Sequence, residues 1–253
     1  MSNVTPSAPV SAAPPAATHV VFRTPLLPRL LSLFGVLVLG GLSVFIILVA
    51  VILLFKQWQV AVFIVAPVAC IMGGLTGYVG RDLRGKWGLR VVLDSQSLML
   101  DLPRGRSLIH RPPAQHLTIP YSDIDAIETR LEAYGSLGME LMQRAYVLRR
   151  KNGDLIFLFE DRAIKTPLES ETFPKLAADI AARAGVPLRD LGMVEGGGGF
   201  LAVWGTHAPD WAAPSLPLAR QMRIWRHVTV TGSLAIAIIF IALFVRLWLG
   251  GPM

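Results

Sequence analysis

The sequence predicts an α-helical membrane protein, with three transmembrane helices and a small α+β domain between the second and third. Three observations carry that prediction. Hydrophobic residues make up 53% of the 253-residue chain and charged residues only 16%, against roughly 25% charged in ordinary soluble domains. Mean hydropathy is +0.54. The charge is also segregated: the first 80 residues contain no Asp or Glu, and the acidic residues begin at Asp82 and end at Asp210. A disulfide-stapled fold is excluded, because Cys70 is the one cysteine.

The elements follow in order. Residues 1–29, rich in Ala, Pro, Ser and Thr, read as a flexible tail. Leu30 to Phe55 and Val60 to Gly80 are apolar runs, each long enough for a bilayer whose hydrocarbon is about 30 Å thick. Only Lys56, Gln57, Trp58 and Gln59 separate them, so the pair forms an antiparallel hairpin (30–55, 60–80). The third span is 228–249, where Arg246 snorkels toward the interface. Arg81, Arg84, Lys86 and Arg90 follow the second span, and Arg220, Arg223 and Arg226 precede the third. Lys and Arg are retained on the cytoplasmic side, so the N-terminus and middle domain are expected inside and the C-terminus outside, at the inner (plasma) membrane.

The second span places Ala69, Gly73 and Gly77 at four-residue spacing, which lets helix backbones approach closely. The expected partner is the first span of the same chain; the other reading is a seam with a second copy or another protein.

From Leu89 the pattern changes to period two. Leu89 to Asp94, Leu98 to Leu102, Gln115 to Pro120 and Ile124 to Leu131 read as strands. Tyr146 to Phe159 reads as a hairpin turning on Asn152-Gly153, with positive φ expected at both turn residues. Phe173, Leu176, Ala177, Ile180, Ala181 and Ala184 line one face of a helix over 173–184, capped by Gly185 and stopped by Pro187. Strands followed by one amphipathic helix suggest a bent antiparallel sheet closed at one end. Residues 193–227, with four consecutive glycines from Gly196, read as a linker and basic juxtamembrane segment. The aromatics Phe200, Trp204 and Trp211 suggest that part of it lies along the sheet or the bilayer.

The strand run, the segment Ile119-Pro120-Tyr121-Ser122-Asp123-Ile124, the Asn-Gly hairpin and the closing helix resemble bacterial pleckstrin-homology-like domains. The layout is also similar to the photosystem I assembly factors: a membrane hairpin, then a small sheet domain ending in a helix and a Val-Pro-Leu segment, here Val186-Pro187-Leu188. The likeness covers about residues 30–192, with the domain itself at 81–192. It implies a PH-like sheet domain that acts by holding other components. This chain departs from the assembly-factor layout by adding a linker and a third span.

Reactive constellations are not found. His19, His110, His116, His207 and His227 lack metal-ligand spacing, and no dinucleotide, kinase or zincin pattern occurs. Asp123, Asp125, Glu128 and Glu132 read as a solvated strand face with Arg130 opposing. The expectation is therefore a non-enzymatic protein with no cofactor and no metal, whose domain scaffolds a membrane-protein partner or self-association. The alternative is a sensor of anionic lipid headgroups through the two juxtamembrane clusters. Arg149, Arg150 and Lys151 at the hairpin tip are a further candidate patch for a partner or lipid. Nucleic acid is not expected, because the excess positive charge lies beside the spans.

Overall fold

The computed structural model describes residues 19–56, 59–107, 109–136, 139–163, 171–198 and 206–249. The chain opens with a strand, β1 (Val20–Arg23), where a flexible tail was expected. Helices α1 (Leu26–Phe55) and α2 (Gln59–Gly88) follow, then β2 (Arg90–Leu93). β1 pairs antiparallel with β2, Val20 opposite Leu93 and Arg23 opposite Arg90. The helical hairpin is thus inserted between two neighbouring strands of one sheet. The Val-Val-Phe run of β1 explains the correction: it satisfies the edge hydrogen bonds of β2, and Phe22 packs on the core beside Phe173.

Among the described residues, two helices rather than three are long and apolar enough to cross a membrane. α1 and α2 pack on one another, and their outward faces carry large apolar side chains without protein cover, among them Phe34, Phe45 and Phe63, the last 81% exposed. Their contact is stitched at mid-length, where the Ser43 and Thr76 hydroxyls lie 3.1 Å apart and each donates back to its own helix at Leu39 O and Met72 O. At the base, Lys86 Nζ bridges Asp82 (2.7 Å) and Ser32 (2.9 Å).

α2 runs eight residues past the expected end of its span, to Gly88. Its last two turns seat on the 103–106 turn: a side-chain carbon at Gly85 would sit 2.5 Å from the Gly105 carbonyl oxygen, and one at Gly88 would sit 2.8 Å from Pro103. Tyr78 lies within electrostatic reach of Glu160 and Arg162 at the end of β7 (Leu155–Arg162).

The domain has two four-stranded sheets. The first orders β1-β2-β3-β4, with β3 at Ser97–Leu102 and β4 at Gln115–Pro120. The second orders β7-β6-β5-β8, with β5 at Ile124–Ser136, β6 at Met139–Arg150 and β8 at Leu188–Glu195. Leu98, Leu100, Ile119, Ile127, Leu148 and Leu158 from both sheets form one core, which α3 (Thr172–Ala184) completes with Leu176, Ala177, Ile180 and Ala181. That is the apolar face expected for this helix, and Gly185 caps it in the left-handed region at φ +65°.

Several expectations change in detail. β5 and β6 are longer than expected and pair from Ile124 to Ser136. The 151–154 turn uses positive φ only at Gly153 (+90°), and Gly153 N–H donates to Arg150 O. The paired residues are separated by more than Asn-Gly alone, so one glycine suffices. β8 was missed: it follows α3 and pairs parallel with β5, Ile127 opposite Leu188 and Ala133 opposite Glu195. The expected linker at 193–227 is thereby structured at its two ends, while 199–205, with Phe200 and Trp204, lie outside the described residues. Its last ten residues are the start of α4 (Leu218–Leu249), one continuous helix through the expected third span. Ile224 of α4 is buried against Leu131, Ala133, Met142 and Met193. Val228 packs partly on the same cluster and Arg220 pairs with Glu195, so several residues tie the start of α4 to the sheet.

Candidate functional site

The seven expected juxtamembrane cations divide into two classes. Lys86 pairs with Asp82, Arg90 lies 3.9 Å from Asp101, and Arg220 donates to Glu195 at 2.7 Å. Arg81, Arg84, Arg223 and Arg226 are exposed and make no ion pair or side-chain hydrogen bond with the described residues. Arg81 and Arg84 stand three residues apart on the end of α2, as do Arg223 and Arg226 on the start of α4, so each pair shares a helix face. Trp87 and Trp225 are half-exposed beside them.

The hairpin-tip patch is different. Arg149 is held by both oxygens of buried Glu128, at 2.6 and 2.9 Å, and Arg150 lies 3.6 Å from Asp123 and Asp154. Lys151 alone projects. The tip is nine residues along β6 from Met142, the contact point of α4, or about 30 Å at strand rise.

Gly73 and Gly77 do not face α1. A side-chain carbon added at either meets nothing within 4 Å, whereas Gly35 faces Val79 and Gly40 faces Thr76. The hairpin contact runs along Gly35, Gly40 and Ser43 of α1, and the Ala69, Gly73 and Gly77 face lies to its side.

The largest departure is in the acidic segment. Glu128, Arg130 and Glu132 are all buried, Glu132 completely. Period two puts Glu128, Arg130 and Glu132 on one face of β5, so Arg130 does not oppose the two glutamates. Residues 206–217 lie across that face. Trp211 Nε1–H donates to Glu128 (2.8 Å), and Arg130 donates to the carbonyls of Asp210 and Ala213 with its guanidinium over the Trp211 ring. Leu216 N–H donates to Met193 O, and Gly197 pairs with His207. Beyond the strap, Glu132 accepts from Tyr134 Oη (2.7 Å), Gln143 Nε2 (3.1 Å) and His110 Nε2 (2.8 Å), and the His110 ring lies on Phe157.

The electrostatics are those of a clasp. Burial alone would raise the Glu128 carboxyl, but donation from Arg149 and Trp211 and the nearby guanidinium charges hold it below the ordinary value. Burial and the neighbouring Glu132 push the Tyr134 phenol far up, so it remains a donor. Three donors thus converge on the Glu132 carboxylate. Among the described residues no group of three His, Cys, Asp or Glu is placed to hold a metal ion. A cleft of about 370 Å³ lies among Thr129, Arg144, Tyr146, Asp161, Arg162 and Asp190, and Arg144 and Asp190 neutralise each other across it at 3.0 Å.

No family model matches the chain, and no curated protein or solved structure is significantly similar to it. The functional reading therefore rests on geometry. The sequence did single out the juxtamembrane arginines and Trp211. It did not reveal that three of the seven cations are neutralised internally, nor the buried face of β5. Charged residues at period two look the same whether water or another segment covers them; only the tryptophan downstream hinted at a cover.

Proposed function

We propose that this chain is a non-catalytic inner-membrane scaffold, whose cytoplasmic PH-like domain is held at the bilayer and binds another protein. The observation that carries the reading is the insertion of the apolar hairpin between β1 and β2. Lipid-facing helices and sheet are one construction, since the strand before α1 is zipped to the strand after α2. The uncovered apolar faces of α1 and α2 are far larger than the patches soluble monomers expose, which supports embedding. The apolar run 228–249 within α4 supports a third crossing, which would leave the C-terminus outside. Four strands, three strands and a closing helix support the PH-like reading, to which β8 and its strap are further elements.

Such a protein positions the solvent face of its domain at a fixed height above the bilayer, and the pairing of Glu128 with Arg149 and of Glu132 with His110 supports a structural use of these buried acids. Crosslinking the tagged chain in its native membrane, followed by gentle extraction and mass spectrometry, tests the proposal. A stoichiometric membrane-protein partner is expected; recovery of the chain with lipid alone would contradict a scaffold role.

A further inference from the structure

We infer that Arg81, Arg84, Arg223 and Arg226 form a binding surface for the phosphates of anionic lipids, and that Lys86, Arg90 and Arg220 take no part in it. The inference rests on the membrane-embedded reading above but not on the scaffold role. Its basis is the division of the seven cations. A lysine or arginine beside a carboxylate has its charge largely offset, so a phosphate competes with Asp82, Asp101 or Glu195 for it. The four remaining guanidiniums have no such competitor among the described residues. Each offers a planar fork that fits two phosphate oxygens.

Placement favours the bilayer over a soluble anion. Both arginine pairs sit on the helical segments that run directly into apolar stretches. Two features orient them. Arg81 lies beside Gly105 on the same side of α2 that Gly85 and Gly88 seat on the 103–105 turn, which fixes its place at the junction of helix and domain, and Ile224 anchors α4 to the sheet between Arg223 and Arg226. The half-exposed indoles of Trp87 and Trp225 belong at the headgroup level, where amphipathic rings concentrate. The tip cation Lys151, at the far end of β6, is excluded by distance.

The test uses the full chain reconstituted in phosphatidylcholine vesicles, with spin-labelled phosphatidylglycerol and spin-labelled phosphatidylcholine as probes of the lipid held at the protein surface. The native chain should prefer the anionic probe by about tenfold, since each basic residue near an anionic surface contributes appreciably, and the preference should fall with salt. The set R81Q, R84Q, R223Q, R226Q should bring it close to parity. The set K86Q, R90Q, R220Q should stay within about twofold of native. The quadruple Arg→Lys chain controls for folding and orientation and should keep most of the preference. Absence of preference in the native chain, equal losses in the two Gln sets, or loss in the Lys chain would each overturn the inference. Partner recovery from native membranes is read separately, so failure here leaves the scaffold reading standing.

Discussion

Arg106 shows how a single side chain closes this fold. It is 7% exposed and lies where β7, the edge of the second sheet, meets the first. Its guanidinium donates to the carbonyls of Phe157, Pro103, Pro113 and Leu102 and to Gln115 Oε1. Burial lowers its pKa to about 10, which leaves it charged at neutral pH. Removing it strands several buried carbonyls, so Arg106→Ala should cost about 2–4 kcal/mol and Arg106→Lys should recover under half, because an ammonium cannot fork. Thermal melting of the purified chain in one detergent checks both. Glu128 is the second residue whose state is consequential. Its carboxyl lies below the ordinary value in the fold, so its contribution is complete above the ordinary carboxylate range and is lost as pH falls through the depressed value. Hydrogen exchange at 206–217, corrected for its intrinsic pH dependence, should therefore accelerate on acidification in the native chain. Glu128→Gln should show fast exchange already at pH 7, with little further acid effect.

At the scale of elements, the close backbone approaches decide which changes matter. Gly85→Ala drives a side chain into the Gly105 carbonyl and should lower the melting temperature by the equivalent of about 2 kcal/mol. Gly73→Ala meets open space and should leave the purified monomer's melting unchanged within about 0.5 kcal/mol. Much of this level was readable beforehand. The α3 face from Phe173 to Ala184 and its Gly185 cap are local chemistry, and the hairpin is set by two apolar runs with a four-residue connection. β1 and β8 were not readable, because each pairs with a strand remote in sequence and lacks a turn signal to announce it. The Val20-Val21-Phe22 run sits among prolines and alanines typical of a tail, and β8 is interrupted by Gly192 at φ +77°. The even face of β5 was misassigned for a related reason: its cover arrives from residues 80 positions away.

For the whole molecule, insertion of the hairpin between β1 and β2 and anchoring of α4 by Ile224 make the domain and the membrane segments mechanically continuous. In the proposed membrane-embedded arrangement, β1 and β2 lie on one side of the bilayer and the α1–α2 turn on the other. The same geometry accounts for the juxtamembrane arginines, which stand where two helices leave the domain. The exposed Ala69, Gly73 and Gly77 face is consistent with a scaffold that contacts its partner inside the bilayer as well as through the sheet domain. The account stands or falls on the two crossings of the hairpin. The most direct measurement replaces Cys70 with serine and introduces single cysteines at Lys56, Arg23 or Lys151. Each is then labelled with a membrane-impermeant maleimide in intact and in lysed cells. Labelling of Lys56→Cys from outside, with Arg23→Cys and Lys151→Cys reacting only after lysis, is the predicted result; equal labelling of all three in intact cells, or release of the chain from membranes by carbonate, would contradict it.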